Sequence, residues 1–194
     1  MPVKNTMLTI VRHVESIVEG LDEKEIEDMI KVIEKSDGIF IMGAGRSGLV
    51  AKAFATRLVQ LGLTAYIVGE SVTPAMTYKD LLIVVSGSGE TNSVVRAAEI
   101  SKKVGAKVLT VTSYPNSSVG KHSDYIVTVK GRTKIDIEKD PIRSQIEGSH
   151  SSLTPLGTLF EDTVMIFFDG IIAKLMIEMK AGEEDLKRRH AIVE

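Results

Sequence analysis

No cysteine occurs among the 194 residues of this chain. That absence excludes disulfides, thiolate catalysis and cysteine-ligated metal sites, and it fits a reducing compartment. There is no excess of positive charge either: 24 basic against 26 acidic side chains leave a formal net charge of −2. The chain therefore offers no basic footprint to a nucleic acid partner. From Met1 to Gly20 charged and apolar residues alternate, without the unbroken apolar core of a signal peptide. The longest apolar helix candidate, Val164 to Met179, carries Asp169, Lys174 and Glu178. It is too short and too charged to span a bilayer. No two histidines stand at metal-ligand spacing, and Asp136, Glu138 and Asp140 alternate without an accompanying ligand set, so no metal is expected. These absences predict a soluble, cytoplasmic protein with no nucleic acid and no membrane among its partners.

What is present is ordinary globular material, 43% hydrophobic with a mean hydropathy of +0.10. A chain of this length fits one domain burying roughly 70% of its unfolded surface. Without internal repeats or low-complexity tracts, the simplest division is a helical segment over 1–36, an α/β core over 37–180 and a short tail over 181–194. Leu8, Val11, Val14, Ile17 and Val18 form one helical stripe, and Ile26, Ile30 and Ile33 form another beyond the Gly20 break. Five apolar runs read as strands: Gly38–Met42, Thr64–Val68, Asp80–Val85, Lys107–Thr112 and Asp124–Val129. Most are continuous rather than alternating, as in strands covered on both faces of a parallel sheet. Helical patterns lie between them at Ser47–Leu61 and Thr91–Val104, with a short one around Ser117–His122. The alternation predicts a three-layer, doubly wound, five-stranded parallel sheet of the flavodoxin type with flanking helices. The polar stretch Lys130–Ser152 reads as a long loop, lid or disordered insert, and a strong helix resumes from Leu153 to about Lys180.

Two turns carry the chemistry. Each follows a strand and opens a helix, the combination that turns backbone N–H groups and the helix dipole toward an anion. Gly43-Ala44-Gly45-Arg46-Ser47-Gly48 matches a dinucleotide fingerprint, and Glu70 follows the next strand at a spacing that could serve a ribose. A lone match of this kind is weak, and Ser47 is either a phosphate ligand or a plain helix cap. Ser86-Gly87-Ser88-Gly89-Glu90-Thr91 is the stronger signal, since three hydroxyls surround two glycines. Capping needs only one hydroxyl; three make a phosphate nest. A third segment, Ser151 to Thr158 with Thr154 and Pro155, reads as a helix start placing Glu161 in the first two turns. Phe160 and the apolar run from Val164 would desolvate that carboxylate and lift its pKa toward a useful base. His13 and His122 read as surface residues and His150 as a loop residue. In isolation, His190 reads as part of a solvated basic tail.

These segments resemble the sugar isomerase (SIS) domain family, over about Gly38 to Lys180. The closest likeness is to its 6-phospho-3-hexuloisomerase branch. It rests on Met42–Leu49, Val68–Ala75, Thr154–Asp162 and the terminal Lys187-Arg188-Arg189-His190. The Lys130–Ser152 insert departs from the pattern and bears on access and specificity. The resemblance implies isomerisation of a phosphorylated ketohexose, D-arabino-3-hexulose 6-phosphate to fructose 6-phosphate, without cofactor. It implies Glu161 as base, and His190 as proton shuttle supplied by a neighbouring subunit, which reverses the plain reading of that residue. Gly45, Arg46, Ser47, Ser86, Ser88, Thr91 and Thr154 would hold the substrate, with Arg46 or Arg189 stabilising the enediolate or phosphate. A homotetramer with active sites at subunit interfaces follows from the same likeness. The competing readings are another phosphosugar aldose–ketose isomerase, a non-catalytic sugar-phosphate-binding module and a nucleotide-binding Rossmann protein.

Overall fold

A computed structural model describes residues 2–131, 154–155 and 157–189. Its core is a single five-stranded sheet: β1 Ile39–Gly43, β2 Ala65–Ile67, β3 Leu81–Val85, β4 Lys107–Thr112 and β5 Tyr125–Thr128. All pairings are parallel, in the order β2-β1-β3-β4-β5. This is the flavodoxin-type order expected from the apolar runs. Every residue of β3 is buried, because the strand is covered on both faces.

Side chains alternate across the sheet, and the core divides accordingly. Ile39, Ile41, Leu81, Ile83 and Val85 face a layer built from α2 Glu23–Lys35, α3 Arg46–Leu61 and α5 Thr158–Glu178. Phe40, Leu82, Val84 and Val108 face α4 Asn92–Val104 and Val119. Phe54 of α3 and Phe168 of α5 stack with ring centroids 4.0 Å apart, joining the two helices on that face. The short pattern near Ser117 is a single 3-10 turn, Gly120–His122.

Residues 2–35 are built around two helices, α1 Pro2–Val18 and α2. Asp22 caps α2 by accepting from the Lys24 and Glu25 amides at 2.8 and 3.4 Å. No residue of α1 is buried. Its last turns lean on α5 through Ile17, while Val3, Met7, Leu8 and Val11 remain exposed. The stripe predicted for α1 is real, but most of it has no partner among the described residues.

The last long helix begins later than its sequence suggests. Pro155 lies before the helix, where its carbonyl accepts from the Thr158 amide at 3.2 Å, and Gly157 with φ +87° stands at the N-cap. The segment Thr154–Pro155 is thus a turn preceding the helix, not its first turn. Beyond Gly182 a short helix, α6 Glu183–Arg188, closes the described chain. Residues 132–153, which include Asp136, Glu138, Asp140 and His150, and the tail residue His190 lie outside the described residues. Among the described residues no helix is long and apolar enough to cross a membrane.

Candidate functional site

Gly43 and Val85 are register partners at the carboxyl ends of neighbouring strands. The chain leaves β1 for the β2 edge and returns to β3, so the crevice between these strand ends is the topological switch point of the sheet. Both glycine turns open into it. A cavity of about 430 Å³ there is walled by Ala44 to Ser47 on one side and by Val85 to Ser88 with Thr91 on another. The start of α5 closes it through Gly157, Phe160 and Glu161.

In the β3–α4 turn the carbonyl groups are occupied from behind. Gly87 O accepts from the Ser113 amide and the Thr112 hydroxyl, and Gly89 O accepts from the Val119 amide. Glu90 accepts from the amide and hydroxyl of Ser118 at 2.9 and 2.6 Å, contacts that hold its carboxyl below the usual range. The hydroxyl contributes most to that shift and the amide next. Ser86 Oγ accepts from the Gly89 amide at 3.1 Å, tightening the turn from inside. The amides of Gly87, Ser88 and Thr91, by contrast, donate to no protein acceptor among the described residues. Free amides beside occupied carbonyls make the nest an anion requires.

Neither Thr91 nor Ser47 caps its helix, whereas Ser88 Oγ accepts from the Glu90 amide at 3.3 Å just ahead of α4. Thr91 stands at the N-cap of α4 but makes no side-chain capping bond. The N-cap of α3 is Gly45; Ser47 is one residue inside the helix, buried, with its hydroxyl uncommitted to any described partner. The first two amides of α3, at Arg46 and Ser47, are among the orphans every helix start leaves.

Opposite these donors stands a charged pair. Arg46 Nε donates to Glu161 Oε2 at 2.5 Å, and its Nη2 donates to Asp162 Oδ1 at 3.1 Å. The Glu161 side chain is only 12% exposed, against 59% for Arg46. The cavity wall thus combines a sheltered carboxylate, a cation and a nest of anion-seeking amides. That set can bind a phosphorylated ligand and move a proton on it. Among the described residues no group of three or more His, Asp or Glu side chains is placed to hold a metal ion.

The SIS domain family model matches residues 32–144. The chain belongs to the SIS domain family. It is 39% identical to the 3-hexulose-6-phosphate isomerase of Bacillus subtilis, over 90% of this chain and 89% of that protein. The protein of the same name from Methanocaldococcus jannaschii is 33% identical over 87% and 83% of the two chains. An uncharacterized protein of Aeropyrum pernix reaches 44% over 100% of this chain and 93% of its own length. Among solved structures, one from Methanococcus jannaschii, described as inferring a 3-hexulose-6-phosphate isomerase function, aligns with a TM-score of 0.79. It is 28% identical and covers all of both chains. These relatives support a phosphosugar isomerase.

Several predicted site residues of this SIS chain lie elsewhere. Thr154 is buried and does not line the cavity. Glu70 pairs with Lys52 at 2.5 Å, also outside the lining. Arg189 donates from Nη1 to Leu61 O at 2.8 Å and to Gln60 O at 3.4 Å, capping the C-terminal end of α3. Arg46 starts that helix, so Arg189 stands about 24 Å away by helix rise alone. His13 is not simply solvated: its Nε2 lies 3.1 Å from Lys130 O. His122 is half-exposed, with Nε2 3.6 Å from Glu99 Oε1. The contact between Arg46 and Asp162 had no signal in the sequence.

Proposed function

We propose that this SIS chain interconverts D-arabino-3-hexulose 6-phosphate and fructose 6-phosphate through an enediolate, the second step of the ribulose monophosphate route. One juxtaposition carries the reading: the sheltered Glu161 carboxylate shares a cavity with the hydroxyl and amide nest of Ser86, Ser88 and Thr91. The phosphate would occupy the nest, with Gly45 and Ser47 framing the other side. Glu161 would take the proton from C2 of the 3-ketose and return it at C3 of the enediolate. The hydroxyl proton passes from O2 to O3, and the carbonyl thereby moves from C3 to C2. Both electrons stay within the sugar, so the reaction is balanced without a redox partner. Arg46 supplies positive charge to the oxyanion as it forms.

His190 is assigned the oxygen-to-oxygen proton transfer, from a neighbouring subunit. The position of Arg189, bonded to the carbonyls of Gln60 and Leu61 at the far end of α3 from Arg46, supports action in trans. The apolar face of α1, unpartnered among the described residues, supports an oligomer, for which a homotetramer is proposed.

The test follows fructose 6-phosphate formation from enzymatically prepared 3-hexulose 6-phosphate, by wild type and by Glu161→Gln. Wild-type turnover with a loss of at least about a hundredfold in the variant is expected. Turnover that survives the substitution moves the base elsewhere. Turnover only on another phosphosugar moves the substrate, and tight sugar-phosphate binding without turnover makes the chain a binding module.

A further inference from the structure

Arg46 is held by two carboxylates of adjacent residues, and the two lie on different sides of the cavity wall. Glu161 lines the cavity; Asp162 does not. Successive helix residues point about 100° apart, so a guanidinium reaching both must lie across the helix face between them. It spends Nε on Glu161 and Nη2 on Asp162, and Nη1 makes no bond to any described residue. Among the described residues that line the cavity, Arg46 and Glu161 are the only charged ones.

The two oxygens of Glu161 are consequently unlike. Oε2 accepts from Arg46, whereas Oε1 accepts no hydrogen bond from any described residue. Oε1 is turned toward Gly157, where a built Cβ would come within 3.1 Å of it. The missing side chain there, at a φ of +87° that favours glycine, leaves that oxygen room. A guanidinium left to itself meets a carboxylate fork to fork, with two parallel hydrogen bonds. In that arrangement each oxygen of Glu161 would spend a lone pair on the guanidinium, and both would be weaker bases for a proton on carbon.

We propose that Asp162 is a positioning residue: it holds one arm of the Arg46 fork outside the cavity, so that Glu161 keeps Oε1 free to act as the base. This rests on Glu161 being the base. The same grip leaves Arg46 Nη1 as the donor available to the substrate, so one pair of carboxylates orients both the base and the cation.

The 194-residue chain is compared as wild type, Asp162→Asn, Arg46→Gln and the double variant, with Asp162→Glu and Glu161→Gln alongside. Asp162→Asn should lower kcat about tenfold and change KM by less than about twofold, the pattern of a base disabled after substrate has bound. Asp162→Glu should recover most of the loss, because it restores the second anchor. In the Arg46→Gln background, adding Asp162→Asn should change kcat by less than about twofold, since the fork it restrains is gone. An unchanged kcat in Asp162→Asn overturns the proposal, as does an equal fall in both backgrounds. Circular dichroism and the melting temperature of each variant separate loss of fold, and Asp162→Ser provides a second truncation should Asn misfold. Activity retained by Glu161→Gln removes the base assignment and this proposal with it. Inactive Glu161→Gln beside unaffected Asp162→Asn removes the positioning role alone.

Discussion

Gly43 of β1 and Val85 of β3 sit opposite each other in register at the carboxyl ends of their strands. That pairing brings together two turns lying more than 40 residues apart in the chain, and the cavity exists because of it. It also forces a tight return. A Cβ on Gly43 would stand 2.6 Å from Ser47 O and 2.8 Å from the Gly48 amide, both backbone atoms that cannot rotate away. Gly43→Ala should therefore push α3 off β1 and distort the amides facing the ligand. A loss of about 1–3 kcal/mol is expected, as for other overpacked sites, with sugar-phosphate binding weakened in parallel. Gly170→Ala is the control: its Cβ meets nothing within 4 Å on an exposed face of α5. It should be neutral or stabilise by up to about 1 kcal/mol. Urea unfolding and calorimetric titration read both variants.

Thr91 separates a structural from a binding role unusually well. Threonine at an N-cap ordinarily contributes about 1 kcal/mol through its side-chain bond, but Thr91 makes no such bond. Thr91→Ala should leave the melting temperature within about 1 °C and weaken binding of inorganic phosphate or a sugar phosphate about fivefold, the worth of one hydrogen bond. A substantial fall in melting temperature with binding intact would make Thr91 a cap after all.

Much of this was legible in the sequence, for identifiable reasons. Strands buried on both faces are continuous apolar runs, so their positions were read to within a residue or two, and the glycine turns between strand and helix marked the ends that carry the cavity. The start of α5 was misread because Pro155 is a favoured first-turn residue, and nothing local signals that Gly157 adopts a positive φ two residues later. The Arg46–Glu161–Asp162 cluster escaped because 115 positions separate arginine from carboxylate, and no spacing rule joins them. Arg189 looked like substrate-binding charge, yet in the fold it meets the last carbonyls of α3, a destination that depends on where α6 packs.

Arg46 is the residue whose removal should cost activity and spare stability. Its side chain is 59% exposed against 12% for Glu161, so its loss opens no core cavity and should cost no more than about 1–2 kcal/mol. Glu161, chiefly through their hydrogen bond, raises the guanidinium pKa further above its already high value, so Arg46 stays charged at any working pH. Arg46→Gln should lower kcat/KM at least about a hundredfold, as expected for removal of charge at a developing oxyanion. Arg46→Lys should recover only part of it, because an ammonium cannot span two carboxylates with a planar fork. Full activity in Arg46→Gln would exclude Arg46 from the chemistry.

Asp124 gives a prediction about pH that is independent of the cavity, since it precedes β5 at the opposite end of the sheet. Burial, the largest single influence, pushes its carboxyl up; the Lys102 hydrogen bond at 2.6 Å, the Val108 amide at 2.9 Å and the nearby charge of Lys107 together outweigh it. The net effect holds the carboxyl below its ordinary value. A carboxyl depressed in the folded state stabilises the fold fully above its unfolded pKa, about 3.9, and loses that contribution as pH falls through the folded value. Asp124→Asn should be less stable than wild type by roughly 1–2 kcal/mol at pH 7. The gap should hold down to about pH 4.5 and narrow steadily below about pH 4, as wild type loses what the variant never had. Urea unfolding of both proteins at pH 7, 5, 4 and 3 reads it directly, with catalytic rates at pH 7 expected to match. A gap that persists undiminished at pH 3 would mean that the aspartate acts through packing alone, and its charge would then contribute nothing to joining α4, β4 and β5.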